Sequence, residues 1–189
     1  MPLFIHQAAR RFTQIVLLLF GLLLAACSDS SAKDIHLLTG ANPAELARTH
    51  LASAVLKQHG FIVTIEEARL GQIWQRLWAG KADASVVVWL PEASAPFVER
   101  FFDRLDDFGP KDNGLAEERE IWPANDKPHT VVRRSLEQES PEAVVILRNL
   151  HWQPQDLEQI MASWQQSQNW TLAAESWLAE QGPSGSLKP

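Results

Sequence analysis

Arg69-Leu-Gly-Gln-Ile-Trp-Gln-Arg-Leu-Trp-Ala-Gly-Lys-Ala-Asp-Ala-Ser-Val-Val-Val-Trp-Leu-Pro91 carries two kinds of order, one after the other. From Gln72 to Ala79 the apolar residues recur at helical spacing, Ile73 with Leu77 and Trp74 with Trp78, and Gly80 follows. From Ala84 to Leu90 the chain is almost wholly apolar, and Pro91 stops it. A short apolar run of this kind reads as a strand buried on both faces of a parallel sheet. A helix feeding such a strand is half of an α/β unit.

The flanks repeat the alternation. Asp34 to Thr39 reads as a first strand. Asn42 can then cap a helix, with Pro43 in its first turn and Glu45 three residues after the cap. The apolar face of that helix includes Ala47, Leu51, Ala54 and Val55, and Gly60 ends it. Phe61 to Ile65 reads as a second strand. After Pro91 a helix is expected from about Pro96 to Leu105, then an irregular connection over Asp106 to Glu120 with Gly109, Pro110 and Gly114. Thr130 to Arg133 is a further short strand. Ser140-Pro141-Glu142 and Pro154 open two more helices, and a last one runs from about Thr171 to Glu180. Strands alternate with helices early and helices cluster late, which predicts an α/β sheet covered on both faces.

The beginning of the chain carries a different signal. Arg10 and Arg11 precede an apolar run from Ile15 to Leu24, and Leu24-Ala25-Ala26-Cys27 places the one cysteine of the protein after small residues. The run is too short to span a bilayer, which takes roughly 20 residues, and suits a signal peptide. The pattern looks like a bacterial lipobox. It predicts a signal peptide over residues 1–26, a lipid on Cys27, a polar tether over 27–33 and one domain over 34–181. The lipid would hold the chain at the periplasmic face of a bacterial membrane, and Ser28 favours the outer membrane. Residues 182–189 are expected to be a disordered tail.

Composition narrows the chemistry. Removing residues 1–26 takes two arginines and no acids, which lowers the formal charge from −6 to −8. So acidic a body does not suit nucleic acid. A lone cysteine excludes an internal disulfide and a thiolate metal site. The histidines show no ligand spacing, and no Gly-x-Ser-x-Gly or phosphate-cradling loop occurs, so neither enzyme, metal nor cofactor is expected. Eight tryptophans stand beside no tyrosine. Most, including Trp74, Trp78, Trp152, Trp164 and Trp177, sit at helical spacing as core does. Trp122 lies in the connection, where surface packing is expected, a fold over the open cleft being the alternative.

Two stretches resemble the substrate-binding proteins of glycine betaine, choline and proline-betaine ABC importers. One is the segment quoted above, with its Gly80, Asp83 and Trp89-Leu90-Pro91. The other runs from His129-Thr-Val-Val-Arg133 through Ser140-Pro-Glu-Ala143 and Asn149-Leu-His-Trp152 to Ala173-Ala-Glu-Ser-Trp177. The resemblance implies a type 2 periplasmic binding protein fold. Because only Asp106 to Lys127 joins the two halves, it implies a single three-layer α/β/α lobe with the second lobe missing. It also implies a quaternary amine such as glycine betaine or choline as ligand, a permease partner, and ligand contacts from Trp89 and Pro91. An indole face attracts a quaternary ammonium by roughly 0.5–2 kcal/mol. Gly40, Ala41 and Asn42 precede a helix amino terminus, which either holds the anionic end of a ligand or is simply capped by Asn42. The alternative to transport is a structural lipoprotein that keeps the lobe without ligand, its open cleft face covered by a partner or a second copy.

Overall fold

The computed structural model describes residues 33–181. The signal peptide, Cys27 and the tail expected over 182–189 lie outside the described residues. Strand β1 (Asp34–Thr39) leads into helix α1 (Pro43–Gln58), then β2 (Ile62–Glu67), α2 (Leu70–Trp78) and β3 (Ala84–Leu90). Next come α3 (Ala95–Phe101), a 3-10 turn over Phe102–Arg104, and β4 (Leu105–Pro110). A second 3-10 turn, Glu117–Glu120, precedes β5 (Lys127–Arg133). Helices α4 (Leu136–Glu139), α5 (Pro141–Asn149), α6 (Pro154–Ser167) and α7 (Trp170–Gln181) follow.

The strands form one five-stranded sheet in the order β2-β1-β3-β5-β4. β1 runs parallel to β2 and β3, whereas β5 is antiparallel to both β3 and β4. The parallel surroundings expected for β3 are therefore corrected: one neighbour is parallel and the other antiparallel. Its burial comes from the layers above and below.

On β1 and β5 adjacent side chains enter opposite layers, as the period of two demands, whereas on β3 Val86 and Val87 both join the same layer at a register shift between Ser85 and Val88. Leu37, Val87 and Val132 point to the side where α1, α5, α6 and α7 pack, together with Leu51, Val55, Leu147 and Ala173. Leu38, Val88 and Val131 point to the side of α2 and α3, against Ile73, Leu77 and Phe101. The result is the three-layer α/β/α arrangement expected from the alternation.

The connection read as irregular over Asp106–Glu120 in fact begins with β4 and includes a 3-10 turn. Leu-Asp-Asp-Phe-Gly-Pro has no apolar alternation because β4 is an edge strand with only Leu105 fully buried. β5 likewise starts at Lys127, three residues before the expected Thr130.

Candidate functional site

The carboxyl ends of the parallel strands open on a cavity of about 510 Å³. Open α/β sheets place ligands at this edge. Gly40 and Ala41 line it from the end of β1, Glu67 and Ala68 from the end of β2, and Val87 and Trp89 from β3. α1 contributes Glu45, the entry to α2 contributes Arg69, Gln72 and Ile73, and the connection contributes Trp122. Of the five expected ligand residues, Trp89, Gly40 and Ala41 thus share one cavity. Asn42 and Pro91 are not on its wall, and Pro91 is exposed.

Asn42 is occupied by the helix itself. Its Oδ1 accepts from the Ala44 amide at 2.9 Å, and Glu45 Oε2 accepts from the Asn42 amide at 3.3 Å. This reciprocal capping box takes the donors that would have faced a ligand's anionic end. Of the two expectations for this loop, the capping by Asn42 is the one that forms, and the carboxylate the loop holds is that of Glu45. Gly40 makes room for it, since a Cβ there would collide with Glu45 Oε2.

Trp89 is 1% exposed and Glu45 is 4% exposed, and the indole donates its Nε1–H to Glu45 Oε1 at 2.8 Å. One face of Trp89 stacks on Trp122, with centroids 5.1 Å apart and planes 15° from parallel. The Arg48 guanidinium lies 6.0 Å from the Trp89 ring centroid. Trp122 therefore takes the alternative of its two expected places and becomes a wall of the cavity. Its Nε1 is buried and has no hydrogen-bond partner among the described residues.

The connection is fastened over this edge by a buried ion cluster. Arg48 on α1 donates to both oxygens of Asp112 at 2.7 and 2.9 Å and to both oxygens of Glu118 at 2.6 and 2.7 Å. Asp112 also accepts from the Trp152 indole, and Glu118 Oε2 accepts from the Leu115 amide. Burial opposes the charged forms, yet the Arg48 bonds hold the Asp112 carboxyl below its ordinary range. Glu45 goes the other way. Burial pushes its carboxyl up, with a smaller push from the Glu118 charge, against the pull of Trp89, Asn42 and Arg48.

The sequence reading missed Glu45 as a site residue because its capping role already explained it. The only signal for Trp122 was its place in the connection. Among the described residues no group of three or more His, Cys, Asp or Glu side chains could hold a metal ion. No described helix is long and apolar enough to cross a membrane.

A model of the substrate binding domain of ABC-type glycine betaine transport systems matches residues 113–180. The glycine betaine/carnitine transport binding protein GbuC of Listeria monocytogenes is 30% identical over 81 residues. That stretch is 43% of this chain and 27% of the relative, so the match spans about a quarter of the relative's length. Among solved structures, lactococcal OpuAC complexed with glycine betaine superimposes with a TM-score of 0.68 at 16% identity, over 78% of this chain and 96% of that one. The glycine/betaine/L-proline-binding protein ProX of Borrelia burgdorferi gives 0.69 at 13% identity, over 78% and 93%. An ABC-transporter choline binding protein in complex with choline gives 0.69 at 11% identity, over 82% and 90%. At such identities the structures establish the fold, which is the α/β fold of ABC-transporter binding proteins.

Proposed function

We propose that this chain is the substrate-binding component of an ABC importer for quaternary amines such as glycine betaine or choline. A lipid on Cys27 holds it at the periplasmic face of a bacterial membrane, on the outer membrane by the reading of Ser28, and an importer permease receives its ligand. The observation that carries the ligand reading is the cavity at the strand ends, where two indoles, Trp89 and Trp122, meet a buried carboxylate. Aromatic rings and a carboxylate answer a cation that has no N–H to donate. The match over residues 113–180 and the relatives' printed ligands point the same way.

The chain binds as a single lobe. The described strands all belong to one sheet, which supports that reading. Desolvation of a bound ammonium is then incomplete, and affinity falls toward the millimolar range. Calorimetric titration of the full-length chain with choline and glycine betaine tests the reading, with Trp122→Ala as the control. Saturable heat that weakens in the variant supports it; no heat with either amine overturns it. For the anchor, labelled palmitate should enter the wild type and be absent from Cys27→Ser.

A second reading has its own observation. Trp122 covers the Trp89 face that a cation would use, as in a lipoprotein that kept the lobe and closed its site. An amine affinity that rises in Trp122→Ala would favour it.

A further inference from the structure

Glu45 is a buried carboxylate without a cation of its own. Its two oxygens accept from Trp89 Nε1 and the Asn42 amide, both neutral donors. Arg48, one turn along α1, is the nearest candidate for a partner, but Asp112 and Glu118 already share its guanidinium. No lysine, arginine or histidine among the described residues forms an ion pair with Glu45. The buried cluster thus holds two carboxylates against one guanidinium before Glu45 is counted, and an ionised Glu45 adds a further negative charge. The groups facing Glu45 are Arg48 on its own helix, Glu118 from the connection, Trp89 from β3, and Glu67 and Arg69 across the cavity, with Asp112 behind Arg48. Glu67 and Arg69 are exposed and opposite in sign, so water screens both and they largely offset each other. A buried charge left uncompensated costs several times more than an exposed one.

We propose that Glu45 is the counter-charge of this cavity and makes it select amines of net positive charge, such as choline, over zwitterions such as glycine betaine. The inference rests on the quaternary-amine reading above and refines it. A quaternary ammonium has no hydrogen to donate, so it meets Glu45 through charge alone and leaves the Trp89 bond in place. A zwitterion brings a carboxylate into a cluster already negative, and only the exposed Arg69 answers it. Capture of a cation also demands that Glu45 be ionised. Since burial favours its protonated form, a cation that binds at acid pH expels a proton from the site. Affinity for choline therefore climbs as pH rises past the ordinary carboxylate range and levels off once Glu45 is charged.

Calorimetry on the full-length chain decides the matter, with choline and glycine betaine each titrated at several pH values in buffers of different ionisation heat. Choline is expected to bind roughly tenfold tighter than glycine betaine or better, and to release a proton at acid pH. Glu45→Gln should abolish both the preference and the proton release. The buffer comparison on the wild-type chain needs no variant, so it stands if Glu45→Gln fails to fold. Equal affinity for the two amines, or choline binding without proton release at any pH, overturns the counter-charge and leaves the transport reading intact. Absence of heat with both amines overturns the two together.

Discussion

Trp74 and Trp89 are both sealed from water, at 0% and 1% exposure, yet they belong to different parts of the molecule. Trp74 lies in the apolar layer under α2 and α3 and donates to a neutral hydroxyl, Ser94 Oγ, at 3.0 Å. Trp89 belongs to neither apolar cluster. It donates to a carboxylate, stacks on Trp122 and lines the cavity. Burial alone cannot tell a core indole from a site indole. The chemistry of the partner can.

The support behind the Trp89 site is where the comparison breaks most easily. Arg48→Met removes the one cation from a buried cluster and leaves Asp112 and Glu118 unpaired. We expect a loss of about 3–5 kcal/mol in urea unfolding, or failure to fold. Arg133, whose partners Asp83 and Glu139 are nearer to solvent, should cost only about 1 kcal/mol when replaced in the same way. Equal losses would mean that the buried cluster is not what fastens the connection.

Paired substitutions sharpen the contrast next. Trp89→Phe strips a donor from a charged acceptor and should cost about 1.5–3 kcal/mol, against about 0.5–1.5 kcal/mol for the neutral bond lost in Trp74→Phe, apart from a similar loss of ring area in each. Only the first should change amine binding. A Trp74→Phe chain with altered amine affinity would show that the two indoles are not separable.

A pH-dependent effect lies away from both. Burial lowers the His50 pKa to about 4, with a further push from Lys57, while the ring lies beside Trp170 and Thr171. Protonation is therefore taken up more readily by the unfolded chain. Stability is full above pH 6.5 and declines as pH falls toward 4, by roughly 1–2 kcal/mol after allowing for the solvent that reaches the ring. His50→Gln should flatten that part of the acid unfolding profile.

Much of this fold was legible because its signals are local. β1 and β3 fall where Asp34–Thr39 and Ala84–Leu90 predicted, since an apolar run closed by a turn or Pro91 leaves few alternatives. α1 follows its capping box. β4 was not legible: two aspartates on an exposed edge pair with β5 through backbone bonds that side-chain pattern does not report. The site divides along the same line. Gly40, Ala41 and Trp89, expected at the strand ends where such sheets bind ligands, do line the cavity. Glu45 was not expected there, and Trp122 over the cleft was only the lesser alternative, because their contacts with Trp89 join residues far apart in the chain.

The most direct test is the indole N–H spectrum of the isotopically labelled chain during a choline titration, with Trp89→Phe and Trp74→Phe used to assign the two resonances. The Trp89 signal should move in a saturable way while the Trp74 signal stays in place. A Trp89 resonance unmoved at saturating choline would contradict the site assigned here.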